Sequence, residues 1–243
     1  MKTIRIFIIA FIVALAAGSC KKDRIDSGPL AIEASDFLKD SKYKSLVLEV
    51  AYVEGHQPTN EALNHLVGML NERLNKPSGI SIAYLPIASP RMSSFTISDL
   101  EKVEKTNRSR YTKGDRLAAF VFFADAPYAG DPNVLGIAYG TTSAAVFETR
   151  VEDYSGGVTQ PSQYVLEATV AEHEFGHLLG LVDNGTPMAT AHLDIDHGHH
   201  CDNTNCLMYY AAETTDIVGT LTGGNIPGLD DHCIADLKAN GGK

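Results

Sequence analysis

The chain has 243 residues, of which 44% are hydrophobic, and this is enough for the packed core of one domain of ordinary size with extra segments. Its formal net charge is −10, and removing residues 1–20, which carry Lys2 and Arg5 and no acid, leaves −12. This balance argues against nucleic acid as a partner, because phosphate binding needs a basic surface.

The N-terminus is predicted to be a targeting segment. The apolar run from Ile4 to Ala17 is short for a membrane-spanning helix and ends in small residues, so residues 1–19 are predicted to be a signal peptide, with a permanent anchor helix as the alternative. Ala17-Gly18-Ser19-Cys20 resembles a bacterial lipobox, which implies that Cys20 is lipidated. The resemblance places the protein at the bacterial outer membrane or cell surface, held by acyl chains. Residues 20–44 are then the lipidated N-terminus and a polar tether.

The elements that follow alternate in type. Amphipathic spacing predicts a helix from Pro58 to Leu74, and polar residues after a capping signal predict a helix-like connector from Thr96 to Thr106. A largely apolar helix over 161–180 begins after Pro161 and Ser162, and a last helix spans Pro227 to Ala239. The predicted strands are Ser45–Val53, Gly79–Ile87, Arg116–Ala124, Val134–Tyr139 and Ala144–Glu148.

The helix over 161–180 carries the most informative motif, which runs from His173 to Asp183 and has the pattern H-E-x-x-H-x-x-G-x-x-D. Histidines four residues apart lie on one face of a helix, so the imidazoles of His173 and His177 can bind one metal ion. Glu174 faces away from that pair and suits a general base that takes the proton from a zinc-activated water. Gly180 allows the helix to end, because glycine enters the left-handed conformation without a Cβ penalty.

The third metal ligand has two candidates. Asp183 stands at a suitable spacing, and carboxylate is an accepted zinc ligand. His200 is the alternative, because six of the nine histidines fall within residues 173–200. The nearby Asp194 and Asp196 could instead hold a calcium ion, or their loop could be an ordinary solvated one.

The motif and the order of elements resemble the metzincin clan of zinc metallopeptidases. The resemblance implies a mixed α/β fold with a twisted, mostly parallel sheet, an active-site helix, a methionine-containing turn and a C-terminal helix over residues 45–243. It implies that Met208 forms an apolar base beneath the zinc. It also implies that Tyr210 hydrogen-bonds the developing oxyanion.

The string from His200 to Met208, H-C-x4-C-x-M, is similar to archaemetzincins. In that family the histidine is the third zinc ligand and the cysteines help to bind a second, structural zinc. The chain departs from the pattern in two ways. Asp183 holds the family's place for the third ligand, and of the last C-x-x-C only Cys233 lies near the expected place.

The cysteines after Cys20 are Cys201, Cys206 and Cys233. Outside the cytoplasm a disulfide is plausible, either Cys201–Cys206 or Cys206–Cys233, and the sequence does not choose between them.

The expected function is that of a zinc-dependent metalloendopeptidase acting on a protein or peptide substrate, with Glu174 as general base. We expect a monomer with no nucleic-acid partner and no membrane contact beyond the lipid. The alternatives are a non-catalytic zinc-binding surface lipoprotein and a zinc hydrolase of non-peptide substrates.

Overall fold

The computed structural model describes residues 32–243 and contains a five-stranded sheet surrounded by helices. The strands are β1 (Ser45–Val53), β2 (Ile80–Ile87), β3 (Arg116–Ala124), β4 (Gly136–Ala138) and β5 (Ser143–Phe147). The α-helices are α1 (Ala34–Leu38), α2 (Asn60–Arg73), α3 (Ile97–Asn107), α4 (Glu148–Asp153), α5 (Gln163–Leu178) and α6 (Asp231–Ala239). Short 3-10 helices cover Tyr210–Glu213, Thr215–Gly219 and Leu221–Gly223.

The sheet has the strand order β2-β1-β3-β5-β4. All neighbouring strands are parallel except β4, which runs antiparallel to β5 at one edge. The predicted mixed α/β fold with a mostly parallel sheet is therefore confirmed.

Apolar side chains cover both faces of the central strands, as expected for a parallel sheet that lies between helices. Leu48 and Val50 of β1 belong to a core cluster that includes buried residues of α2 and α5. Phe120 and Phe122 of β3 belong to a second cluster, which includes residues of α3. Helix α5, which carries the H-E-x-x-H motif, therefore packs between α2 and the sheet.

The segment assigned from sequence to the tether reaches into the packed domain. Phe37 and Leu38 of α1 are fully buried, and Tyr43 is nearly so. The buried amino group of Lys76 donates hydrogen bonds to the carbonyl oxygens of Asp36, Lys39 and Tyr43. Phe37, Leu38 and Tyr43 therefore anchor this segment in the core, whereas the predicted signal peptide and Cys20 lie outside the described residues.

Between α5 and α6 the chain is mostly irregular and supplies the other half of the site. A narrow hairpin forms where Leu193 pairs with Cys201, and the amide of Asp194 bonds the carbonyl of His200 at 2.7 Å. The amide of Cys201 then donates to the carbonyl of Met208 at 2.7 Å, which fixes the hairpin against residues 206–210 (the methionine segment). Among the helices of residues 32–243, none combines the length and apolar character needed to cross a bilayer.

Candidate functional site

Helix α5 positions two histidines on one face. The side chain of Ser162 caps the helix by accepting a hydrogen bond from the amide of Val165, as predicted. One turn apart, His173 is fully buried and His177 is nearly so, with 3.1 Å between their Nε2 atoms. Two ring nitrogens this close need a proton or a cation between them, because their lone pairs otherwise repel.

The third imidazole of the cluster belongs to His200, at the end of the hairpin. Its ring centroid lies 5.2 Å from that of His173 and 5.1 Å from that of His177. Together with a carboxylate oxygen of Glu213, the three imidazole nitrogens form a group whose atoms all lie within 4.8 Å of one another.

Backbone carbonyls orient two of these imidazoles. The Nδ1 of His173 lies 2.7 Å from the carbonyl oxygen of Leu207, and the Nδ1 of His200 lies 2.7 Å from that of His197. A carbonyl can only accept, so both rings carry their proton on Nδ1 and present the Nε2 lone pair to the cluster. The Nε2 of His200 is buried and has no hydrogen-bond partner among the described residues. This donor set fits a zinc ion.

Asp183, the third ligand favoured by the sequence, is exposed and lies outside the cluster, and this call is corrected. The reason is the path of the chain after α5. Gly180 adopts φ +75°, and Val182 and Asp183 are also left-handed. The loop closes on itself where the amide of Thr186 bonds the carbonyl of Gly180 at 2.8 Å, and this leaves Asp183 at the surface.

Glu174 lies buried between α5 and β4, and neither of its carboxylate oxygens has a hydrogen-bond partner among the described residues. A Cβ atom added to Gly136 of β4 would come within 2.6 Å of the Glu174 carboxylate, so glycine is required for this close approach. Burial, followed by the nearby charge of Glu213, raises the pKa of Glu174 well above its usual value. A carboxylate in this environment is a strong base for its type.

Glu213 is the member of the cluster that the sequence analysis missed. Its carboxylate oxygens lie 3.6 Å from the Nε2 of His200, 3.7 Å from that of His173 and 3.9 Å from that of His177. Burial opposes its ionisation, but the neighbouring imidazoles of His173 and His200 lower the pKa of Glu213 below its usual value. The only signal in the sequence was its position five residues after Met208.

Met208 and Tyr210 lie on the methionine segment with different surroundings. Met208 is fully buried beneath α5, and a Cβ atom added to Gly176 would come within 2.1 Å of its sulfur. The ring of Tyr210 stacks on that of His197 at 3.7 Å between centroids, against the hairpin that carries His200. The transition-state role of Tyr210 stays a prediction.

A cleft runs beside His177. A cavity of about 560 Å³ is bounded by the end of β4 and the following residues (138–141), by residues 184–185, and by residues 32–35. Tyr139 bonds Ser143 across the β4–β5 ladder, and hydrogen-bonded pairs alternate in an antiparallel ladder. The backbone groups of Gly136 and Ala138 therefore point to the outer edge, towards the side on which Glu174 lies.

A second group of potential ligands lies at the base of the hairpin, where Leu193 pairs with Cys201. His192, Cys201, Asp230 and Cys233 bring their ligand atoms within 4.8 Å of one another. The Nδ1 of His192 lies 3.3 Å from the sulfur of Cys201 and 4.0 Å from that of Cys233. The sulfur of Cys206 lies 3.7 Å from that of Cys233.

The hydrogen bonds around this second group favour the protonation states that a metal ion requires of its ligands. The Nε2 of His192 lies 2.8 Å from a carboxylate oxygen of the buried Asp236, which fixes the proton there and leaves Nδ1 free to act as a ligand. The amides of Met208 and Asp230 both donate to the sulfur of Cys206. Hydrogen bonds, first from Cys201 and then from Cys233, lower the pKa of Cys206 to about 4, which favours a thiolate.

The structure corrects the disulfide prediction and leaves the calcium prediction without support. Cys201, Cys206 and Cys233 are all free thiols that converge on one point. Asp194 instead accepts a hydrogen bond from the amide of Asp196, and its carboxylate lies 2.7 Å from the Nδ1 of His197. Within the described part of the chain, neither Asp194 nor Asp196 belongs to a group of three or more potential metal ligands.

No family model matches the chain, and no curated protein matches its sequence. A solved structure of archaemetzincin from Methanopyrus kandleri aligns with a TM-score of 0.53 at 16% identity, covering 81% of this chain and 96% of that one. The fold is metzincin-like. A structure of metalloproteinase-II from Bacteroides fragilis aligns with a TM-score of 0.47 at 14% identity, covering 87% of this chain and 57% of that one. At 16% identity, the alignment with archaemetzincin shows similarity of fold alone.

Proposed function

We propose that this chain is a zinc-dependent endopeptidase whose metal ligands are His173, His177 and His200. The observation that carries the proposal is the convergence of three imidazole nitrogens beside a buried carboxylate without a partner, that of Glu174. A metal-binding module needs the imidazoles but has no use for such a carboxylate, which is costly to bury. A hydrolase needs both.

In the proposed hydrolysis, the residues of the site have separate roles. When bound, zinc supplies a Lewis acid that polarises a carbonyl and acidifies water. The carbonyl oxygens of Leu207 and His197 hold the imidazoles of His173 and His200 in the ligand tautomer. Glu174 takes a proton from the attacking water on a carboxylate oxygen and returns it to the leaving amine.

The edge of β4 gives the substrate a place to bind. An extended peptide can add to an exposed sheet edge through main-chain hydrogen bonds, and here Gly136 and Ala138 offer their outward groups beside Glu174. Main-chain pairing of this kind favours a peptide over an ester or a glycan. The cavity of about 560 Å³ next to His177 can then accept one or two substrate side chains.

A peptide library incubated with the purified protein and analysed by mass spectrometry tests the proposal. Glu174→Gln keeps the shape of the side chain but removes the base, so we expect cleavage to fall about 10²- to 10⁴-fold while zinc content is unchanged. Glu101→Gln, at an exposed carboxylate of α3, is the control and should cleave like the wild type.

Each other result contradicts the proposal. Wild-type rates in Glu174→Gln would exclude Glu174 as the base. Cleavage of esters or glycans without cleavage of peptides would indicate another hydrolase. No cleavage of any substrate by the zinc-loaded wild type would favour the non-catalytic lipoprotein.

We also propose that His192, Cys201 and Cys233, together with Cys206 in place of Asp230, whose carboxylate caps α6, bind a second zinc with a structural role. Bond lengths of zinc to sulfur and nitrogen imply tetrahedral edges of about 3.5–3.8 Å, and the separations of 3.3, 3.7 and 4.0 Å bracket that range. In a disulfide the sulfurs would be about 2 Å apart. Three cysteines with one histidine form a closed donor set that is typical of structural zinc.

Metal analysis and thermal unfolding test the second site. The protein should bind two zinc ions per chain, and Cys233→Ser should lose one of them together with much of its thermal stability, because structural zinc contributes directly to folding. The ring of His232 stacks near that of His192 but lies outside the cluster, so His232→Ala should keep both ions. Two ions in Cys233→Ser would refute the site.

A further inference from the structure

Glu213 fills the corner of the catalytic cluster that a hydrolytic zinc ion keeps open. Zinc bonds of 2.0–2.1 Å to nitrogen and oxygen imply edges of about 3.3 Å between neighbouring ligand atoms in a tetrahedral site. The Nε2 atoms of His173 and His177 are 3.1 Å apart. The Oε2 atom of Glu213 lies 3.7 and 3.9 Å from these two nitrogens, and its Oε1 atom lies 3.6 Å from the Nε2 of His200. The protein itself therefore supplies atoms for all four corners.

The main chain fixes the point from which this side chain reaches the cluster. The carbonyl of Glu213 accepts a hydrogen bond from the amide of Leu135 at 2.7 Å, and the next residue, Thr214, pairs with Val134. Both contacts lie immediately before β4. Glu213 therefore projects from a fixed backbone position between the methionine segment and the sheet.

The side chain of Glu213 is nevertheless open to solvent on one side. It is 26% exposed, whereas that of His173 is fully buried. Its ion-pair contacts in the described part of the chain are all with the three imidazoles, and no lysine or arginine there holds it in place. Coordination to the metal ion is then the main interaction that would hold the Glu213 carboxylate in the cluster. Rotation of the side chain would move the carboxylate into solvent.

We propose that the Glu213 carboxylate is the fourth ligand of the catalytic metal in the resting protein, so that the site is latent until the carboxylate is displaced. This inference rests on the metal site of the proposed function. The backbone of residues 133–135 and 213–215 stays in place, and only the side chain moves. A substrate that pairs with the adjacent β4 edge is the natural competitor, since its carbonyl oxygen arrives at the corner that Glu213 occupies.

Zinc retention and inhibitor binding test this proposed closure of the site by Glu213 (the latch) without a measurement of turnover. In zinc-loaded Glu213→Gln, acetohydroxamate should bind at least about tenfold more tightly, because no carboxylate competes for the open corner. One of the two zinc ions should be lost at dipicolinate concentrations at least about tenfold lower, as expected when a group that holds a metal is removed. A closed site of cysteines and histidine has no corner for hydroxamate, so calorimetry reports on the catalytic metal alone.

Two further variants complete the design. Glu213→Asp keeps the charge but shortens the reach, so it should behave like Glu213→Gln, and it carries the test if the Gln variant fails to fold. Asp216→Asn changes an exposed carboxylate in the next 3-10 helix and should match the wild type in both readouts.

The failures of the two proposals are distinguishable. Unchanged hydroxamate affinity and unchanged zinc retention in both Glu213 variants would overturn the latch, whatever the protein cleaves. Tighter hydroxamate binding with weaker zinc retention would support the latch even if the wild type cleaved no peptide, and in that case the proposed endopeptidase function alone would fall.

Discussion

At the scale of single residues, the sequence predicts the part of the site that lies within one helix. His173, Glu174 and His177 follow from helical spacing, and the structure places all three on α5. The choice between Asp183 and His200 depends on tertiary contacts instead. The left-handed turn after Gly180 and the hairpin that ends at Cys201 decide it, and neither has a periodic pattern that can be recognised in the sequence.

Substitution of the two candidate ligands should separate them. His200→Ala removes a buried ligand, so we expect the loss of one zinc ion and of all peptidase activity. Asp183→Ala changes an exposed side chain and should keep both. Metal analysis of the two purified variants checks this, and an Asp183→Ala protein lacking one zinc would contradict the site described above.

The contact between Gly176 and Met208 gives a second prediction at this scale. An alanine Cβ at position 176 would lie 2.1 Å from the Met208 sulfur, so the methionine must move. Gly176→Ala should destabilise the protein by about 1–3 kcal/mol, as overpacked cores usually are. Urea unfolding measures this.

The matched control is Gly68→Ala in α2, where an added Cβ meets nothing within 4 Å. It should raise the free energy of unfolding by about 0.5–1 kcal/mol, because alanine favours the helix interior. Equal effects of the two substitutions would argue against tight packing under the motif.

At the scale of elements, periodicity predicted the strands and the long helices well. The bounds of β1 and β3 match the prediction, because both strands are mostly apolar and each is followed by an acidic residue, Glu54 and Asp125. Helix α1 was missed because its five residues lie in a polar stretch that is typical of a tether. Its burial comes from Phe37 and Leu38, and one turn is too short to show a period.

Lys76 links α1 to the domain, so its substitution should lower the free energy of unfolding more than substitution of an exposed lysine does. Its amino group donates to three carbonyl oxygens in residues 36–43. Lys76→Met leaves these oxygens without a donor, and we expect a loss of about 1–3 kcal/mol in urea unfolding. Lys105→Met, at an exposed position of α3, should change the free energy of unfolding by less than about 0.5 kcal/mol.

At the scale of the whole molecule, α4 and α5 are joined by two buried carboxyl groups that the catalytic proposal does not use. Gln163 donates hydrogen bonds to both Glu148 and Glu167. The second oxygen of Glu148 is buried and has no partner among the described residues. Burial, and then the charge of Glu167, raises the pKa of Glu148 well above 4.5.

The raised pKa of Glu148 predicts how stability depends on pH. The folded state holds the proton more tightly than the unfolded state, so this contribution is complete below pH 4.5 and is lost as pH rises through the folded pKa. Glu148→Gln removes the ionisation, so at pH 8 its melting temperature should exceed that of the wild type by at least about 2 °C, with a smaller difference at pH 5. A difference that does not vary with pH would contradict this assignment.

His200 and Cys201 are consecutive residues, yet one belongs to each metal cluster. The two proposed zinc sites are therefore joined by a single peptide bond. A zinc ion at the second site would hold the base of the hairpin that presents His200 to α5. A chain with zinc at that site alone should thus be folded but without peptidase activity, and a further zinc ion should make it competent to bind and cleave a substrate. Under these proposals, zinc supply would set how much of the protein can turn over.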